Sequence, residues 1–169
     1  MDFRLWTLDL NLSLVRANQH KIETLLHRFK GRAFEAHYLA YFDCFNRQLY
    51  FEAHEVLEPL WLGQRGRPLG LFYKGLIQFA GAFVHLQKRR RGPAIALFDL
   101  ARRNLEPYGR FQQGIDLDVV LNTIKKYVED LSKGDKFGAL FYTENAPQLF
   151  PEDPAKAEAK GPLPDQPRT

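Results

Sequence analysis

The stretch FYKGLIQFAGAFVHL, residues 72–86, decides the fold of this chain. Apolar side chains cover three sides of a helical wheel drawn through it, which is typical of a helix surrounded by other helices. The pattern predicts a long central helix from about Leu71 to Lys88. Its longest part without a charged or amide side chain, Phe79 to Leu86, is too short to span a bilayer, so we expect no membrane partner.

Apolar residues recur at helical spacing on both sides of this central helix. Gly92-Pro93 ends the central helix and opens the next one, because proline fits the first helical turn, and Asp116 is placed to cap the last helix. The fold class is therefore all-α, an antiparallel bundle of about five to six helices. The further predicted helices begin near Gln19, Ala36, Leu49, Pro93 and Leu117.

The two ends of the chain differ from the bundle. From Trp6 to Leu14 apolar and polar residues alternate, which predicts that residues 5–14 form a short strand-like arm whose partner is either residues 137–142 or the same arm of a second subunit. Six of the ten prolines lie in residues 145–169, which predicts a disordered tail, although residues 146–151 with Leu149 and Phe150 could dock on the body. The predicted organisation is an arm and helix over 1–30, the bundle over 31–144 and the tail over 145–169.

Composition limits the class of protein. The chain has 169 residues, of which 45% are apolar, and this suits one globular domain. Its single cysteine, Cys44, excludes a disulfide framework and a multi-cysteine metal site. We find no secretory signal, so a cytoplasmic location is expected.

The net charge of +4 comes from one patch. Residues 86–110 hold seven cations and two carboxylates, while the rest of the body is balanced. Such a patch could attract nucleic-acid phosphates, but a charge run at a helix end is more often a solvated face. The basic patch comprises Lys88, Arg89, Arg90, Arg91, Arg102 and Arg103.

A second set of polar residues lies on the apolar helices. On the helix that begins near Leu49, His54 and Glu58 are one turn apart at the edge of the buried face, whereas Glu55 points away unless a neighbouring helix covers it. On the central helix, Lys74, Gln78 and His85 share one strip of the surface. Buried side chains on this strip must find partners, because a buried polar group without one costs about 1–3 kcal/mol. We therefore predict a polar cluster of His54, Glu58, Gln78 and His85 with Lys74 at its edge, and with Glu55 and Trp61 as further candidate site residues.

At these residues the sequence resembles the domain of unknown function 309 family of bacteria and archaea. The resemblance rests on Phe45-Asn46, the run from Glu52 to Glu58 with Trp61, and Gly75-Leu76-Ile77-Gln78 with His85. It covers roughly residues 35–131 and implies a small all-helical bundle whose biochemical role is not established. Two positions depart from the family pattern: Gln48 stands where a glycine is usual, and Lys74 stands where a glutamine is usual.

Three functions are consistent with these residues, and whether the protein is an enzyme stays open. The first is a non-catalytic, self-associating module whose polar cluster is structural or binds an unidentified small ligand, without a cofactor. The alternative is a metal-dependent or general-base hydrolase at His54, Glu58 and His85, although the run His-Glu-x-x-Glu lacks the second histidine of helical zinc proteases. The third is a weak nucleic-acid contact through the basic patch.

Overall fold

The computed structural model describes residues 12–134 and 145–152, with only the backbone of residues 12–19. The described residues form six α-helices and one two-stranded hairpin, which confirms the all-α class. The helices are α1 Leu12–His27, α2 Ala36–Asn46, α3 Tyr50–Gly63, α4 Gly70–Gln87, α5 Arg91–Leu105 and α6 Leu117–Ser132. A 3-10 turn at Glu106–Tyr108 and the strands β1 Phe111–Gln112 and β2 Ile115–Asp116 join α5 to α6.

Helix α4 is the centre of the bundle. Apart from the half-buried Lys74, every residue from Phe72 to Leu86 is buried, as the apolar wheel predicts. Phe83 contacts aromatic rings from four other helices, at centroid distances of 4.8–5.6 Å. These rings belong to Phe45 of α2, Tyr50 of α3, Phe98 of α5 and Tyr127 of α6.

A glycine brings α4 close to α5. A Cβ atom at Gly75 would lie 2.6 Å from the Cγ of Leu105 and 3.3 Å from the Cβ of Asn104. Because non-bonded carbon atoms do not approach to 2.6 Å, a larger residue at position 75 would require the side chain of Leu105, or α5 with it, to shift. The glycine of the Gly75-Leu76-Ile77-Gln78 motif therefore has a packing role.

Two predicted helix starts are confirmed, one at Gly92-Pro93 and one at Asp116. Gly92 and Pro93 lie in the first turn of α5, where proline lacks only an amide that the helix does not use. The side chain of Asp116 accepts a hydrogen bond of 3.0 Å from the amide of Asp118 and so caps α6.

The prediction of a strand is wrong for its last residues, because α1 already begins at Leu12. Leu12, Val15, Ile22 and Leu26 fall within about 80° on a helical wheel, so helical spacing extends further toward the amino terminus than the alternation suggested. The rest of the predicted arm, residues 5–11, and its candidate partner, residues 137–142, lie outside the described residues.

The start of the predicted tail lies against the bundle. Asn46 donates from Nδ2 to the carbonyl of Leu149 at 2.9 Å, and its Oδ1 accepts from the amide of Leu149 at 2.8 Å. Leu149 itself is buried, and the amide of Glu152 donates to the carbonyl of Gly114 in the hairpin at 2.8 Å. Residues 145–152 are therefore bound to the body, whereas residues 153–169 lie outside the described residues.

The turn between α2 and α3 explains why a glycine is usual at position 48 of the family pattern. Gln48 has a φ of 61°, in the left-handed region where glycine is favoured. Both contacts of this residue use its backbone, since its amide donates to Phe45 and its carbonyl accepts from the side chain of Gln87.

The variant Gln48→Gly should therefore raise the free energy of unfolding by about 1 kcal/mol, because glycine relieves the left-handed strain and keeps both backbone contacts. Urea unfolding of the full chain measures this. The matched control is Gln64→Gly at the end of α3, where φ is −108° and glycine only adds unfolded-state entropy, so stability should fall. Equal losses in the two variants would contradict the explanation.

Candidate functional site

Helix α3 brings three of the predicted side chains together. His54, Glu55 and Glu58 each offer one donor atom, and these three atoms lie within 4.8 Å of one another. The side chain of His54 is buried, with 3% of the residue exposed, and its Nδ1 lies 3.4 Å from an Oε1 of Glu55. Glu55 and Glu58 are half-buried, so the carboxylates connect a buried imidazole to solvent.

The local sequence explains this arrangement. His54 and Glu58 are four residues apart and therefore share one face of α3, and Glu55 follows His54 directly. Phe51 lies one turn before His54 and stacks on its imidazole at a centroid distance of 6.4 Å. Pro59 lies within the helix and has no amide hydrogen, so it cannot donate the usual helical hydrogen bond to the carbonyl of Glu55.

The central helix places its polar residues differently from the prediction. Gln78, which is 2% exposed, accepts a hydrogen bond of 2.6 Å at Oε1 from Nδ2 of Asn104 on α5. Among the described residues, no hydrogen bond joins Gln78 to the three side chains of α3, and no ion pair joins Lys74 to Glu58. We therefore distinguish the α3 group, His54, Glu55 and Glu58, from the Gln78–Asn104 pair.

Sequence reasoning missed Asn104, although a signal for it existed. Asn104 follows Leu97 by seven residues and Ala101 by three, so it belongs to the apolar stripe of α5. A polar residue on such a stripe needs a partner inside the bundle, and Gln78 is the matching amide.

Trp61 lies one turn after the α3 group and is half-buried. The guanidinium of Arg65 lies 5.4 Å from the centroid of its ring, within the range of a cation–π contact. The ring is thus held at the carboxyl end of α3, beside the loop that leads to α4.

The basic patch surrounds the junction of α4 and α5. Lys88, Arg89, Arg90 and Arg91 are exposed, and so is Arg103, whereas Arg102 forms an ion pair of 3.1 Å with Glu106. The chain reverses sharply here, with φ of 56° at Arg89 and a hydrogen bond from the amide of Arg90 to the carbonyl of His85. Nucleic-acid binding by this patch stays a prediction.

His85 lies between the core and the basic patch. Burial first, and then the nearby charges of Arg90 and Lys88, lower its pKa from 6.5 to about 4. The imidazole is therefore neutral at physiological pH.

This lowered pKa makes stability depend on pH. Between pH 6.5 and about 4 the unfolded chain binds a proton at His85 that the folded protein excludes, so the free energy of unfolding should fall as the pH falls through this window, by about 2–3 kcal/mol in total. Urea unfolding across this range should show that the free energy of unfolding depends less on pH in the variant His85→Gln than in the wild-type protein. The same substitution at the exposed His20 is the control and should leave the dependence in place. An unchanged dependence in His85→Gln would contradict the assignment.

No described helix is both long and apolar enough to cross a lipid bilayer.

Comparison with known proteins agrees with the sequence motifs. Residues 38–97 match the family model described as Domain of unknown function (DUF309), a span that includes α3, α4 and the whole α3 group. No curated protein and no solved structure matches the chain. The match is shorter than the resemblance over residues 35–131, but it contains the same motifs. The match of residues 38–97 to the DUF309 family model therefore confirms the resemblance.

Proposed function

We propose that this protein is a non-catalytic helical binding module, and that its α3 group holds one divalent cation. The observation that carries the proposal is the approach of three donor atoms to within 4.8 Å of one another. One imidazole nitrogen and two carboxylate oxygens form a mixed donor set that suits zinc or iron.

The distances within the group support this assignment. Zinc bonds of about 2.1 Å to nitrogen and oxygen place neighbouring ligand atoms about 3.4 Å apart in a tetrahedral site. The separation of 3.4 Å between His54 Nδ1 and Glu55 Oε1 already matches that spacing. Only the carboxylate of Glu58 has to move inward, and its side chain is half-buried rather than locked in the core.

The charges of the group support it as well. Glu55 and Glu58 bring two carboxylates into one small volume, and their repulsion is relieved when a cation lies between them. A buried imidazole on one side and solvent on the other leave a coordination position for water.

The chain's only cysteine does not supply a nucleophile beside this group. Cys44 is buried, and burial raises the pKa of its thiol to about 12, so the reactive thiolate does not form at physiological pH. The proposal therefore assigns no covalent step to the protein, and metal-dependent hydrolysis by a bound water stays the alternative prediction.

Self-association also stays a prediction. It rests on the pairing of the strand-like arm with a second subunit, and residues 12–14 of that arm belong to α1. Residues 5–11, which would have to pair, lie outside the described residues.

The cation proposal predicts that the full chain binds one zinc ion per molecule and is stabilised by it. At a free zinc concentration one hundred times the dissociation constant, the free energy of unfolding should rise by about 2.7 kcal/mol. Elemental analysis after gel filtration gives the stoichiometry, and thermal unfolding with and without zinc gives the stabilisation. Binding should weaken as the pH falls, because the ligands must be deprotonated.

Two variants of α3 separate a cation site from a purely structural cluster. Glu58→Gln keeps the shape of the side chain but removes a ligand charge, so zinc binding should fall at least tenfold. Glu52→Gln is the matched control, because Glu52 is a half-buried glutamate of the same helix outside the α3 group, and it should keep the wild-type affinity. Absence of bound zinc and of stabilisation in the wild-type protein would leave the α3 group with a structural role only.

A further inference from the structure

A cavity of about 460 Å³ lies beside the first turn of α2, where the loop from α1 leads into that helix. None of its lining residues belongs to α3, so it is separate from the proposed cation site. Its volume lies within the range of about 300–1,000 Å³ that holds small organic ligands in proteins.

Aromatic side chains form the apolar walls. Phe29, Phe34, Tyr38 and Tyr73 line the cavity, and the rings of Phe34 and Tyr73 lie 5.5 and 5.9 Å from that of Tyr38. The hydroxyl of Tyr38 donates to the carbonyl of Gln113 at 2.8 Å and so fixes this wall to the hairpin. Such walls suit a flat apolar group of about one aromatic ring.

One part of the lining attracts a positive charge. Glu35 precedes α2 but makes no capping hydrogen bond with its side chain, so its carboxylate is not used by its own helix. Tyr73 is only 4% exposed and lines the cavity, and its hydroxyl makes no hydrogen bond within the described part of the chain. Burial, and then the charge of Glu35, raise the pKa of Tyr73, as expected for a hydroxyl that lies near this carboxylate.

Another part of the lining attracts a negative charge. Lys30 and Arg32 lie in the loop between α1 and α2, and both are exposed side chains at the mouth of the cavity. Ala36, the first residue of α2, also lines it, so the positive end of that helix dipole faces the same space. Two cations and one carboxylate thus border a cavity with aromatic walls.

We propose that this cavity binds a free amino acid with an aromatic side chain. The ligand carboxylate pairs with Lys30 and Arg32, the ligand ammonium group pairs with Glu35 and the hydroxyl of Tyr73, and the ligand ring packs against the aromatic wall. This zwitterion matches all three charged side chains, whereas a simple anion leaves Glu35 without a partner and a simple amine leaves both cations without one.

Isothermal titration calorimetry of the full chain with three probes tests the ligand class. Phenylalanine carries both charges, hydrocinnamate carries only the carboxylate, and phenethylamine carries only the ammonium group. Phenylalanine should bind at one site, and each analogue should bind at least about tenfold more weakly, because each lacks one of the charged contacts that phenylalanine makes. Equal binding of hydrocinnamate and phenylalanine, or no binding of phenylalanine at millimolar concentration, would overturn the proposal.

Substitutions then test the assigned contacts. Glu35→Gln should weaken phenylalanine binding about tenfold and leave the affinity for hydrocinnamate unchanged, since only the ammonium contact is lost. Glu23→Gln on α1 changes an exposed glutamate outside the cavity and should alter neither affinity. Because Glu35 is exposed, its variant should keep the wild-type circular dichroism spectrum and melting temperature, and an unchanged phenylalanine affinity in it would overturn the assignment.

Discussion

The ring of Phe83 makes the contact on which the rest of the bundle depends. It lies in the middle of α4 and meets rings from α2, α3, α5 and α6 at centroid distances of 4.8–5.6 Å. Each such aromatic pair adds about 0.5–1.5 kcal/mol beyond its buried area, so one side chain fixes four helices around the fifth. This packing buries α4 from Phe72 to Leu86 apart from the half-buried Lys74, and the buried polar groups on this stretch must be satisfied inside the protein.

That constraint separates the polar residues into two kinds. Gln78 lies on the buried helix and is satisfied by Asn104, so its role is to hold α4 and α5 in register beside the close approach at Gly75. The carboxylates of Glu55 and Glu58 lie on a peripheral helix and keep contact with solvent, where a ligand can reach them. Position in the bundle, rather than residue type, therefore distinguishes a structural polar contact from a candidate binding site.

Much of the fold follows from local patterns, and the remainder depends on distant contacts. The apolar wheel of α4, Pro93 in the first turn of α5 and the Asp116 cap are local features and were predictable. The hairpin is a two-residue turn, with φ of 50° at Gln113 and 76° at Gly114, and its strands are too short to show a period of two. For the candidate site, spacing along one helix predicted that His54 and Glu58 lie close together. The hydrogen bond between Asn104 and Gln78 depends on how α4 packs against α5, and the pattern of a single helix does not contain that information.

The direct measurement of the cation site is X-ray absorption spectroscopy at the zinc edge of the zinc-loaded full chain. The arrangement of His54, Glu55 and Glu58 predicts one imidazole nitrogen and at least two further oxygen ligands at about 2.0–2.2 Å, with no sulfur neighbour. A zinc shell made only of oxygen, without the outer-shell signature of an imidazole ring, would show that the metal binds surface carboxylates elsewhere and would contradict the account.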